Sequence, residues 1–233
     1  MIVRTVARCG AGVAMHYFRH QAHAQVLLEE LTALGRQGMT VQADVTQPAS
    51  VDAMREAIVQ TLGSPHIVVN NAVIQYQPWS SVLEQTIADY DSQFRSSVLQ
   101  NVLMAKAFVP EMRRHRYGRF IAISTECVMP HLPGQSAYVA GKRGMDGVLR
   151  VLAKEIGPAQ ITVNQVAPGW TITERVRREG TQRQGVYESA VPLRRRGEDQ
   201  EIANVVAFLA SDLASYITGA YIPVCGGHVM PAI

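Results

Sequence analysis

Apolar positions recur along the chain in two alternating patterns. Short apolar, β-branched runs predict strands at Gly12 to Tyr17, Met39 to Val45, Ile67 to Ala72, Arg119 to Ser124, Ile161 to Val166 and Ala220 to Val224. Between them, helical spacing covers Gln21 to Gln37, Pro48 to about Leu62, Ile87 to Arg114, Ser136 to Gly157 and about Asp199 to Leu209. In the first of these helices Val26, Leu27, Leu31 and Leu34 make the apolar stripe, and Gly35 with Gly38 stops it. Pro48 stands at a favourable early helical position. Trp170 to Leu193 is polar and reads as a mobile stretch. Strands alternating with helices predict an α/β fold with three layers and a doubly wound, mainly parallel sheet. No linker, repeat or low-complexity segment interrupts residues 1–233, so one domain is expected.

Composition narrows the class without naming a chemistry. A chain of 233 residues with 47% hydrophobic and 18% charged residues suits a globular domain with a substantial core. The formal charge of +3 is too mild to argue for nucleic acid. No apolar run approaches the roughly 20 residues that span a bilayer. Cys9, Cys127 and Cys225 are odd in number and lack metal-ligand spacing, so reduced thiols, no metal site and a cytoplasmic setting are expected. Arg4, Arg8 and Arg19 precede the first acid, Glu29, which faintly resembles a transit segment, but the stretch runs straight into the fold pattern.

The informative residues gather at strand ends. In a parallel sheet, ligands bind outside the carboxyl ends of the strands. Asp44, Asn70-Asn71, Ser124-Thr125 and Pro168-Gly169 all fall there. Each has a plain reading alone (Asp44 as a helix cap, the asparagines as strand ends). Together they describe a cleft. Thr125 follows a buried strand, Tyr138 lies thirteen positions on, and Lys142 four further, one helical turn from Tyr138. A free phenol titrates near ~10 and is a poor acid at neutral pH. An ammonium one turn away favours phenolate and brings Tyr138 toward a useful acid/base range, while a strand-end hydroxyl can hold a carbonyl oxygen.

With A-D-V at Ala43 to Val45, N-N-A at Asn70 to Ala72, the Thr125/Tyr138/Lys142 set, V-A-P-G at Val166 to Gly169 and S-Y-I-T-G-A-Y at Ser215 to Tyr221, nearly the whole chain resembles the short-chain dehydrogenase/reductase family. The nearest branch is 3-oxoacyl-(acyl-carrier-protein) reductase-like. The resemblance implies a Rossmann-like fold and hydride transfer between a nicotinamide cofactor and a carbonyl or alcohol. It implies Tyr138 as proton donor, Thr125 in the usual serine's place, and Lys142 on the nicotinamide ribose. It puts Asp44 and Val45 beside the adenine, Asn71 and Ala72 beside the adenosine ribose and phosphate, and Pro168, Gly169 and Thr173 at the nicotinamide end. A dimer or tetramer is implied as well. Trp79 and the Trp170–Leu193 segment are expected to shape the substrate pocket, and His131 is a loop residue.

Three departures open alternatives. The T-G-x-x-x-G-x-G phosphate loop is not in the sequence. The chain begins inside the helix that should follow it, so an N-terminally truncated fold lacking a central strand is expected. In a second register Ile2 to Ala7 is the first strand, Gly10 to Gly12 a shortened turn and Met15 to Gln37 one helix. A start placed too late is a third explanation. Ser97 stands where the family has a helix asparagine that holds a relay water, with Asn101 one turn on. Val73 replaces a glycine after N-N-A and would crowd the backbone there. Arg19, with no acid in His16 to His20, favours NADP(H) over NAD, and a solvated Arg19 is the competing reading. Arg113, Arg114 and Arg116, with Arg194 to Arg196, point to an anionic acyl carrier protein, against the plainer reading of solvated faces. A non-catalytic subunit or scaffold is the alternative to a reductase acting on a small-molecule or acyl-thioester carbonyl.

Overall fold

The computed structural model describes residues 1–74, 79–180 and 184–231. In chain order it runs α1 (Ile2–Arg8), β1 (Val13–Tyr17), α2 (Gln21–Ala33), β2 (Gly38–Gln42), α3 (Pro48–Leu62) and β3 (Ile67–Asn70). Next come α4 (Ile87–Gln93), a π-helical turn (Phe94–Leu99), α5 (Gln100–His115), β4 (Gly118–Ile123) and α6 (Ser136–Ile156). The chain continues through β5 (Ile161–Pro168), β6 (Thr171–Ile172), α7 (Glu174–Glu179), α8 (Gly185–Ala190), β7 (Gly197–Glu198), α9 (Asp199–Ala210) and β8 (Tyr221–Val224).

Strands alternate with helices because the apolar pattern alternates, and the resulting pairings are parallel. β3, β4, β5 and β8 form a four-stranded sheet in that order. Side-chain alternation on β4 serves both faces. Phe120 and Ala122 enter the larger core with Met112 of α5 and Met145 and Leu149 of α6. Ile121 and Ile123 point the other way, against Ile202, Val206 and Leu209 of α9. Helices on both faces of a parallel sheet make the Rossmann-like three-layer arrangement expected from the sequence.

The sheet is divided. β1 and β2 pair with each other as a separate parallel pair, and no ladder joins them to β3. Ala14, Met39 and Val41 nevertheless pack on the same core cluster as Val68 and Phe120. Residues Ile2–Arg8 are helical, which overturns the register that made Ile2 to Ala7 a strand; Val13–Tyr17 is a strand, which overturns one helix from Met15 to Gln37.

Two local readings need correction. In α2 the buried face is Ala24, Leu27, Leu28 and Leu31, turned toward Ala7 and Met15; Val26 and Leu34 are about half exposed. The stretch from Trp170 is not plain coil: it carries β6, α7 and α8, and Arg177 ties it to Asp199 at 2.8 Å and to Glu198. Its residues 181–183, like residues 75–78 of the loop before α4, lie outside the described residues. No helix among the described residues is long and apolar enough to cross a membrane.

Candidate active site

Thr125 stands two residues beyond β4, buried, with extended backbone. Its hydroxyl oxygen accepts a hydrogen bond from the Cys127 amide at 3.2 Å, which starts a short 3-10 turn, Glu126–Val128. Its carbonyl accepts from the Tyr221 hydroxyl, so β8 fixes the backbone of the strand end. The sequence had marked Tyr221 only as part of a motif, not as a brace.

Tyr138 and Lys142 lie in the first turns of α6, on consecutive turns of one face. The Trp79 indole and the Tyr138 ring meet edge to face, centroids 5.9 Å apart. Lys142 is 4% exposed, and its Nζ donates to the Ile123 carbonyl at 2.8 Å. That bond joins the ammonium to the end of the strand that leads into Thr125. Burial pushes the Lys142 pKa from the ordinary 10.5 down to about 8, because desolvation penalises the charged form.

α6 comes close enough for this because two of its residues lack a side chain. A Cβ on Gly141 would stand 2.8 Å from the Gln93 carbonyl oxygen, and one on Gly144 would stand 2.9 Å from Val98 Cγ2. Both neighbours border or belong to the π-helical turn, a distortion common at functional sites. Ser97 sits in that turn, 1% exposed, and its Oγ has no hydrogen-bond partner among the described residues. Asn101 does not stand in for it: its Oδ1 accepts from Asn70 Nδ2 and its Nδ2 donates to the Ser97 carbonyl, both at 2.7 Å. It braces the end of β3 against the turn.

The remaining predicted residues spread along the same rim. Asp44 lies two residues past β2, and its Oδ1 accepts from the Thr46 amide at 2.9 Å and hydroxyl at 2.7 Å, a local turn that ends the strand early. Val45 is buried in the main core, Asn71 is exposed, and Ala72 packs against the core. Val73 is half exposed. Pro168 ends β5. A Cβ on Gly169 would meet the Tyr187 hydroxyl at 2.6 Å, so glycine is required there. Thr173 caps α7 from an exposed position. Arg19 is exposed after β1, beside the Phe18 ring, and lines an open recess of about 550 Å³ with His20 and His23.

The basic groups fare differently. Arg113, Arg114 and Arg116 lie at the end of α5 that leads into the amino end of β4, away from the rim where Thr125 stands. Arg195 is held by Glu201 and Arg196 is buried against the carbonyls of Trp170 and Thr171. Arg194 is exposed and bonds the Ser189 carbonyl.

A parallel Rossmann-like fold with a hydroxyl, a phenol and a buried ammonium at its carboxyl rim defines a class, the nicotinamide-dependent oxidoreductases. Residues 1–228 match the sequence family described as enoyl-(acyl carrier protein) reductase. A 3-oxoacyl-[acyl-carrier-protein] reductase of Pseudomonas aeruginosa is 38% identical over 89% of this chain and 83% of its own. Its Staphylococcus epidermidis counterpart is 34% identical over 98% and 93%. Among solved structures, a blue fluorescent protein from a metagenomic library in complex with NADPH superposes with a TM-score of 0.88 at 32% identity, covering 98% of this chain and 92% of that one. A Serratia marcescens short-chain dehydrogenase/reductase variant gives 0.89 at 28% identity, covering 97% and 91%. The chain belongs to the short-chain dehydrogenase/reductase family.

Proposed function

We propose that the chain reduces the keto group of a 3-oxoacyl thioester with NADPH. The observation that carries this reading is the buried Lys142 ammonium, bonded to the Ile123 carbonyl at the strand end of Thr125 and one helical turn from Tyr138. An ammonium has three protons to donate, and Ile123 takes one. The others, with the Ser97 Oγ that has no partner among the described residues, fit a polar ligand such as a ribose diol. When bound, NADPH supplies hydride to the carbonyl carbon.

In this mechanism the Thr125 hydroxyl donates to the carbonyl oxygen and fixes its position. Tyr138 delivers the proton that the oxygen needs as the alcohol forms. Lys142 favours the phenolate that remains and holds the ribose hydroxyls. Ser97 lines the route for reprotonation. Pro168, Gly169 and Thr173 take the nicotinamide end, Asn71 and Ala72 the adenosine ribose, Asp44 and Val45 the adenine, and Arg19 the 2′-phosphate. The NADPH-bound relative and the absence of an acid in His16 to His20 support NADPH over NADH. The curated relatives' names support a carrier-bound thioester as substrate. In this reading the chain works as a dimer or tetramer in the cytoplasm, where thiols such as Cys9 stay reduced.

The second reading, a non-catalytic scaffold, has its own observation. The sheet is divided, with β1 and β2 paired apart from β3, β4, β5 and β8. Calorimetric titration with NADPH and NADH separates the two. Saturable NADPH binding, tighter than NADH and weakened by Arg19→Glu, is expected; no binding of either favours the scaffold.

A further inference from the structure

One buried acid at the rim has no part in the mechanism above. Glu126 follows Thr125 directly and is 4% exposed, yet no lysine or arginine pairs with it among the described residues. Its Oε1 accepts from the Tyr187 hydroxyl at 2.9 Å; its Oε2 lies 3.1 Å from His228 Nδ1, with no hydrogen bond between those two atoms. Tyr187 and His228 meet edge to face, ring centroids 4.8 Å apart. The same Tyr187 oxygen accepts from the Trp170 amide at 2.8 Å, and burial pushes its pKa up, so it stays a phenol. Five pieces of chain converge here: the turn after β4, the loop after β5, α8, the C-terminal turn and, through Arg196 over the Trp170 ring at 5.1 Å, the approach to β7.

A buried carboxylate without a strong cation costs stability, and an apolar residue of similar size often serves packing as well or better. Packing alone therefore gives no reason for an acid at this place. We propose that Glu126 is a positioning residue that pins α8, through Tyr187, to the strand end beside Thr125, and so sets the wall against which substrate is held. The acid acts on capture of the substrate and leaves the proton-transfer chemistry of Tyr138 unchanged. This inference rests on the reductase reading for its kinetic part, and its structural part stands without it.

The test compares Glu126→Ala, Glu126→Gln and Tyr187→Phe in the full chain, with acetoacetyl thioester as substrate and amide hydrogen exchange over Gly185 to Pro192. Losing the buried acceptor is expected to raise KM by about tenfold or more with kcat within about threefold, and to speed exchange by about tenfold. Glu126→Gln keeps an acceptor for Tyr187 and should stay near the parent in both readouts. Tyr187→Phe removes one hydroxyl and should follow Glu126→Ala; it carries the test if that variant does not fold. Unchanged exchange in Tyr187→Phe, or a fall in kcat with KM unchanged, overturns the proposal. If the parent chain turns nothing over, the reductase reading fails, and the exchange data still decide whether Glu126 pins the wall.

Discussion

Lys142 shows how one side chain can be costly for the fold and, in the proposed mechanism, needed for the chemistry. Its folded pKa of about 8 lies below the ordinary 10.5, so between those values the unfolded chain binds more protons than the folded one. Stability therefore rises with pH across that window, by roughly 3 kcal/mol at most, and the burial penalty is fully present below pH 8. Lys142→Met removes the penalty. It should raise the melting temperature at pH 7, flatten the rise between pH 8 and 10.5, and abolish reduction; thermal melts over that range read the first two. Catalysis carries the opposite sign. As pH rises through about 8 the ammonium is lost, and kcat/KM for reduction should fall about tenfold per unit.

The element that delivers Lys142 is α6, and its glycines have different duties. Gly141 has no room for a Cβ because the Gln93 carbonyl oxygen would stand 2.8 Å away, whereas nothing lies within 4 Å at Gly147. Gly141→Ala should cost about 1–3 kcal/mol and lower kcat by moving Lys142 away from Ile123. Gly147→Ala should stabilise by about 0.5–1 kcal/mol through helix propensity, with activity unchanged. Denaturant unfolding of the two variants side by side checks both directions. The helix itself was legible from spacing, and so were the strand ahead of Thr125 and the turn from Tyr138 to Lys142. The π-helical turn was not, because a one-residue widening leaves the apolar period almost intact. Nor was the Glu126–Tyr187–His228 cluster, whose members are 61 and 41 positions apart in sequence and share no local pattern. An acid three residues past the end of a buried strand was the one available signal.

At the scale of the molecule, the division of the sheet is the main consequence of the sequence. β4 and β5 are each paired on both sides and buried on both faces, while β1 and β2 have only each other. A two-stranded pair is marginal alone and depends on its core contacts. Amides of β1 and β2 should exchange well before those of β4 and β5, at lower opening free energy, in a native-state exchange series. Equal protection across all four would mean the pair is held as firmly as the main sheet. The alternation of strands and helices made the layered parallel fold readable, since each run carried its own period. The stripe of α2 was misjudged because its partners, Ala7 and Met15, could not be known until α1 and β1 were placed. Sequence likewise gives the charge of Arg113, Arg114 and Arg116, and only the fold tells which end of the sheet holds it.

The central claim is that Thr125, Tyr138 and Lys142 work as one reducing site. Its most direct test follows NADPH absorbance with acetoacetyl thioester and the purified chain beside Tyr138→Phe. The account predicts steady oxidation that requires both substrates and falls at least about a hundredfold in the variant. Equal rates in the two proteins, or no oxidation in either while NADPH binds, would contradict it.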